Sequence, residues 1–63
     1  MGESTTETFY AELVRKTENA YLFSDGVEEF WIPKSTVIEL EKKKGNDYEV
    51  TIPYWLAKAK GII

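Results

Sequence analysis

The sequence predicts a mainly β domain, a small rolled antiparallel sheet of five strands closed by a short C-terminal helix. Three observations carry this expectation. Apolar residues recur at a period of two in short runs between Thr8 and Ile52. Asp25-Gly26 and Gly45-Asn46-Asp47 set turn chemistry between those runs. After Pro53 the pattern changes to that of a helix, which Gly61 stops.

Residues 1–7 are rich in Ser, Thr and Glu without an apolar anchor and read as a flexible tail, leaving 8–63 as the one domain. From Thr8 to Lys16, Phe9, Ala11 and Leu13 alternate with Tyr10, Glu12 and Val14, a strand with one apolar and one mixed face. Lys16-Thr17-Glu18-Asn19 is a polar turn. Ala20-Tyr21-Leu22-Phe23 is a short apolar strand of central character. Asp25-Gly26 supplies the positive φ angles of a tight hairpin, and Glu28 to Ile32 returns from it. Pro33 ends that strand because it has no N–H for the ladder, and Pro33-Lys34-Ser35 forms a corner or a single 3₁₀ turn. Thr36 to Glu41 is the fourth strand, with Ile38 and Leu40 on one face. Lys42 to Asp47 makes the next turn, and Tyr48, Val50 and Ile52 face inward from the fifth strand.

Pro53 suits a first helical position, and Tyr54 to Lys60 follows as a helix. Trp55, Leu56 and Ala59 fall on one side and are expected to pack on the sheet. Ile62 sits where a Schellman motif places an apolar residue. Five short strands and a terminal helical turn fit an SH3-like or OB-like barrel, since rolling removes exposed edges. An open three-stranded sheet with one helix is the competing picture.

Size and composition limit what such a domain does. Its 63 residues make one domain, which buries only about 60% of its unfolded surface. With no cysteine and no histidine, it has no disulfide, no thiol nucleophile, no common general base and few transition-metal ligands. Neighbouring carboxylates such as Glu28 and Glu29 point to opposite strand faces, and Glu39 and Glu41 share a face as solvated charges beside lysines. No glycine-rich phosphate loop or calcium loop is present. The expectation is therefore no enzyme, no cofactor and no metal.

The formal charge is −3, from 11 acidic and 8 basic residues, which argues against sequence-blind binding of duplex nucleic acid. Lys42, Lys43 and Lys44 form either a local basic patch or a solvated turn. No apolar run approaches the roughly 20 residues of a membrane span. The first seven residues are polar and acidic, unlike a signal peptide, although Gly2 and Thr6 formally match a myristoylation start. A cytoplasmic protein with no membrane partner is expected.

Aromatic residues make up 14% of the chain, and the binding readings rest on them. If Trp31 joins Tyr10, Tyr21 or Phe23 on an open sheet face, the rings form a platform that grips a peptide or stacks unpaired bases. Arg15, Lys16 and Lys34 then lie nearby for phosphates. The same rings alternatively form a two-sided core with Trp55 as its lid. On the helix, Tyr54 either is presented with Lys58 one turn on as a compact protein-binding patch or packs over the rim of the barrel.

Trp31-Ile32-Pro33-Lys34-Ser35, followed by Ile52-Pro53-Tyr54-Trp55-Leu56-Ala57 and Lys60-Gly61, resembles a pattern in short uncharacterised proteins of phages and prokaryotic mobile elements. It covers most of Tyr21 to Ile63. The resemblance implies a compact accessory protein that engages a host or phage protein, and it assigns no site residues. The leading expectation is thus a non-enzymatic module that binds a protein partner or itself. The alternative is a binder of single-stranded nucleic acid that stacks bases on Tyr10, Tyr21, Phe23 and Trp31. A small-molecule sponge would need an oligomer to enclose a pocket.

Overall fold

One long strand organises the whole chain. In the computed structural model, which describes residues 5–63, β1 (Thr6–Lys16) pairs with two different neighbours along its length. Its first part, Thr6 to Glu12, runs antiparallel to β5 (Asp47–Pro53), and its second part, Glu12 to Lys16, runs antiparallel to β2 (Ala20–Ser24). β3 (Glu29–Pro33) folds back on β2, and β4 (Glu39–Lys44) pairs with β5. The result is one five-stranded antiparallel sheet in the order β3-β2-β1-β5-β4, followed by α1 (Tyr54–Ala59).

The sheet does not close. β3 and β4 are its two edges, so the structure is a rolled open sheet rather than the closed barrel expected. The link between them explains why. Lys34–Thr36 is taken up by a 3₁₀ turn whose Thr36 hydroxyl donates to the Pro33 carbonyl at 2.7 Å. Val37 packs against the core, and the Ile38 N–H bonds to the Thr51 carbonyl at 2.8 Å, which draws the chain toward β5.

Several boundaries differ from the expectation. Thr6 and Glu7 belong to β1, because Pro53 and Ile52 of β5 extend far enough to pair with them. Thr5, also expected in the tail, accepts from the Tyr54 N–H, and residues 1–4, with Gly2 of the myristoylation pattern, lie outside the described residues. β4 occupies Glu39–Lys44 instead of Thr36 to Glu41, so the three lysines are in the strand. The turn needs only Gly45 and Asn46, with Gly45 at φ 57°, and Lys43 is held in place by Glu41 and Glu49 at 3.4 and 3.1 Å.

The inner face carries the core. Phe23, Ile32, Val50 and Ile52 are fully buried, and Ala11, Phe30, Leu56 and Ala57 join them. Phe9 meets Phe23 edge-on, with ring centroids 6.1 Å apart, although they stand on different strands of the curled sheet. A register shift between Leu13 and Arg15 marks a bulge at Val14, so Arg15 opposes Leu22 and Lys16 opposes Tyr21.

The helix meets this core in a different phase from the one expected. Leu56 and Ala57 are buried, whereas Trp55 and Ala59 are exposed. Entry fixes that phase, since Pro53 ends β5 in extended geometry and the Tyr54 N–H is tied to the Thr5 carbonyl at 2.9 Å. At the other end the Schellman motif forms. The Ile62 N–H reaches the Ala57 carbonyl at 2.9 Å, and Gly61 takes φ 77°.

Candidate binding surfaces

Strand alternation sends the aromatic side chains to two opposite faces. Tyr21 and Phe23 lie on the inner face, their rings 5.6 Å apart. Phe23 is fully buried and belongs to the core, which corrects its expected place on a binding surface. Tyr21 is half-buried at the core margin, where the Lys34 ammonium sits 5.2 Å from its ring centre. Lys34 is therefore engaged within the fold.

Tyr10 and Trp31 occupy the opposite face. Tyr10 is 68% exposed and Trp31 43% exposed. They do not share a platform. Trp31 opposes Leu22, which in turn opposes Arg15, whereas Tyr10 opposes Glu49, which opposes Glu41. The expected four-ring stacking surface thus does not assemble, because two of its rings are on the wrong face and the other two are on separate strands in different rows.

Tyr10 stands in charged surroundings. Glu49 opposes it on β5, Glu41 stands one strand further on β4, and the two share the Lys43 ammonium, while Glu12 opposes Asp47 in the next row of that face. The hydrogen bond to Glu49 is the main reason the Lys43 pKa is raised, with Glu41 adding to it. One row the other way, the Thr8 and Thr51 hydroxyls are 2.9 Å apart. An open notch of about 540 Å³ lies beside Tyr10, where the β2–β3 and β4–β5 turns approach each other at the middle of β1. Glu12, Asp25, Lys44 and Asp47 line it. The Asp25 carboxylate is committed to the turn, accepting from the Val27 and Glu28 N–H groups at 2.8 Å each. Those bonds, that from Glu28 foremost, hold its pKa below 3.8.

The third surface is the helix end. Tyr54 is 40% exposed, and Lys58, four residues on, is exposed as well. Trp55, at 63% exposed, is the residue that sequence reasoning missed. Nothing local marks it, because in a helix of six residues either Trp55 or Ala57 can accompany Leu56 inward.

Among the described residues no buried polar or charged side chain occurs, no group of three carboxylates converges as a metal site, and no helix is long and apolar enough to cross a membrane. No known protein family, curated protein or solved structure matches this chain.

Proposed function

We propose that this chain is a non-enzymatic protein-binding module, an accessory domain that receives a basic segment of a protein partner on its exposed rings. The observation that supports it is the position of Tyr10, Trp31 and Trp55, all exposed although the core is complete without them. Rings of this size are costly to leave in water and are favoured anchors of protein interfaces. Tyr10 is also set among Glu12, Glu41 and Glu49. Carboxylates beside a ring attract lysine and arginine side chains and repel phosphates. The net charge of −3 acts in the same direction over a longer range.

The nucleic-acid alternative is the weaker reading. It requires adjacent rings flanked by free cations, and here the two outward sheet rings are separated, with Lys34 held over Tyr21.

Selection from a random peptide display library tests the proposal. Basic peptides enriched on the wild-type protein are expected to lose binding to a variant carrying Tyr10→Ser, Trp31→Ser and Trp55→Ser that still melts cooperatively. Peptides that bind this variant equally well would overturn the proposal. So would salt-sensitive quenching of Trp31 by a single-stranded oligonucleotide in a Trp55→Phe background.

A further inference from the structure

The β3 edge carries a pattern that points to a second copy of this chain. Two hydrogen bonds bracket the strand. The Asp25 N–H donates to the Glu28 carbonyl at 3.1 Å, and the Lys34 N–H donates to the Asn19 carbonyl at 2.8 Å. Bonded and non-bonded pairs alternate in an antiparallel ladder. Phe30 and Ile32 therefore spend their backbone groups on the β2 side, as do the Glu28 carbonyl and the Lys34 N–H, while the Lys34 carbonyl accepts from Val37 in the 3₁₀ turn. The peptide groups of Glu29 and Trp31, and the Pro33 carbonyl, point to the open edge.

We infer that two copies pair antiparallel along β3, with the two-fold axis at Trp31. This inference rests on the protein-binding reading but assigns Trp31 to a second copy of the chain, leaving Tyr10 with its neighbouring carboxylates, and Trp55, for the basic segment. In this register Trp31 faces Trp31 of the second copy, and the two exchange both of their hydrogen bonds. Each Glu29 N–H reaches the opposite Pro33 carbonyl. Pro33 is an effective guard on an edge that needs its N–H, but this register asks only for its carbonyl. Both outward donors of each strand are satisfied.

The side chains select the same register. Glu28 of each copy lies opposite Lys34 of the other, giving two cross-strand pairs of opposite charge. On the outer face, Trp31 and its cross-strand partner Leu22, which is buried outside the core cluster, become one apolar strip running through both copies. Centring the pair on Phe30 instead keeps the backbone bonds but sets Glu28 against Ile32 and Glu29 against Trp31. β4 is the better-protected edge, with lysines at 42, 43 and 44 and an irregularity between Lys42 and Lys44.

Sedimentation equilibrium on the full chain, from low to high micromolar concentration, tests this with Glu28→Lys, Lys34→Glu and the double reversal. Each variant is first checked for wild-type circular dichroism; Glu28 is exposed, and Glu28→Lys carries the test alone where loss of the Lys34 contact with the Tyr21 ring disturbs the fold. The wild type is expected to dimerise. Each single reversal weakens the dimer by about tenfold, from two like-charge contacts per interface, and the double reversal restores it. A wild type that is monomeric throughout overturns the dimer, and the protein-binding proposal then stands or falls separately on the peptide selection. A dimer indifferent to all three variants overturns the β3 interface. Because the chain has no cysteine, Trp31→Cys adds a test of register. Oxidation should cross-link it across the two-fold, where paired Cα atoms are about 5.5 Å apart, and Val27→Cys on the turn should not cross-link. Equal cross-linking of both refutes the register.

Discussion

Replacing Phe23 by leucine separates a core ring from a binding ring. The side chain is fully buried, meets Phe9 edge-on at 6.1 Å, and lies against Tyr21 at 5.6 Å. Leucine keeps the site apolar but loses both ring contacts, each worth roughly 0.5–1.5 kcal/mol beyond area burial. The expected cost is thus about 1–3 kcal/mol. A chain of 63 residues has a total stability of about 3–9 kcal/mol at ordinary values per residue. Phe23→Leu therefore removes a large part of it, and Phe23→Ala, at about 3–5 kcal/mol, leaves little folded protein. In thermal melts followed by circular dichroism, Phe23→Leu should lower Tm by roughly 5–20 °C. Trp31→Leu is the control. On the outer face it should cost less than about 1 kcal/mol, measured at low micromolar concentration where self-association contributes little. A Phe23→Leu protein that melts within about 3 °C of the wild type, or a Trp31→Leu protein that is the less stable of the two, would refute the assignment of faces.

Two further outcomes follow from local geometry. Asp25→Ala should lower Tm at neutral pH, because the Val27 and Glu28 N–H groups lose their acceptor. The Asp25 pKa is depressed in the fold, so its contribution is present above the ordinary value of 3.8 and lost as pH falls through the depressed one. The gap between wild type and variant should accordingly narrow in acid, and an unchanged gap well below that pKa would refute the carboxylate's role. Gly61→Ala should cost about 1 kcal/mol, since Gly61 has φ 77° and no atom lies within 4 Å of an added Cβ. Strain in the backbone is then its only source. Chemical synthesis with D-alanine at 61 should leave the protein as stable as the wild type or more so, and equal losses for both enantiomers would exclude that explanation.

Short-range chemistry made much of the fold legible. The hairpin is legible at Asp25-Gly26, although only Gly26 takes a positive φ, 96°, and Asp25 contributes its carboxylate as an acceptor instead. Pro33 and Pro53 end strands because they lack an N–H, and Gly61 with Ile62 closes the helix through bonds that span five residues. Strand alternation likewise separated Phe9, Ala11 and Leu13 from Tyr10 and Glu12. The displacement of β4 onto its lysines was not legible, since it depends on the register in which Glu39 to Lys44 pair with Asp47 to Thr51 across the hairpin.

The candidate surfaces were legible only as residue types. Tyr21-Leu22-Phe23 and Phe30-Trp31-Ile32 offer an apolar residue to either face, so their own alternation does not choose an inside. That choice is made by partners distant in sequence. Val50 and Ile52 pair with the same face of β1 that carries Phe9, the bulge at Val14 sets how β2 joins it, and together they draw Phe23 inward and leave Trp31 out. The helix repeats the lesson on a smaller scale. Local pattern allows Trp55 or Ala57 to accompany Leu56, and the small Ala57 is the one buried. The sequence by itself determined where strands turn and end, because those preferences reside in single residues. Tertiary structure alone decided which rings meet solvent, because burial is shared between strands that the sequence keeps tens of residues apart.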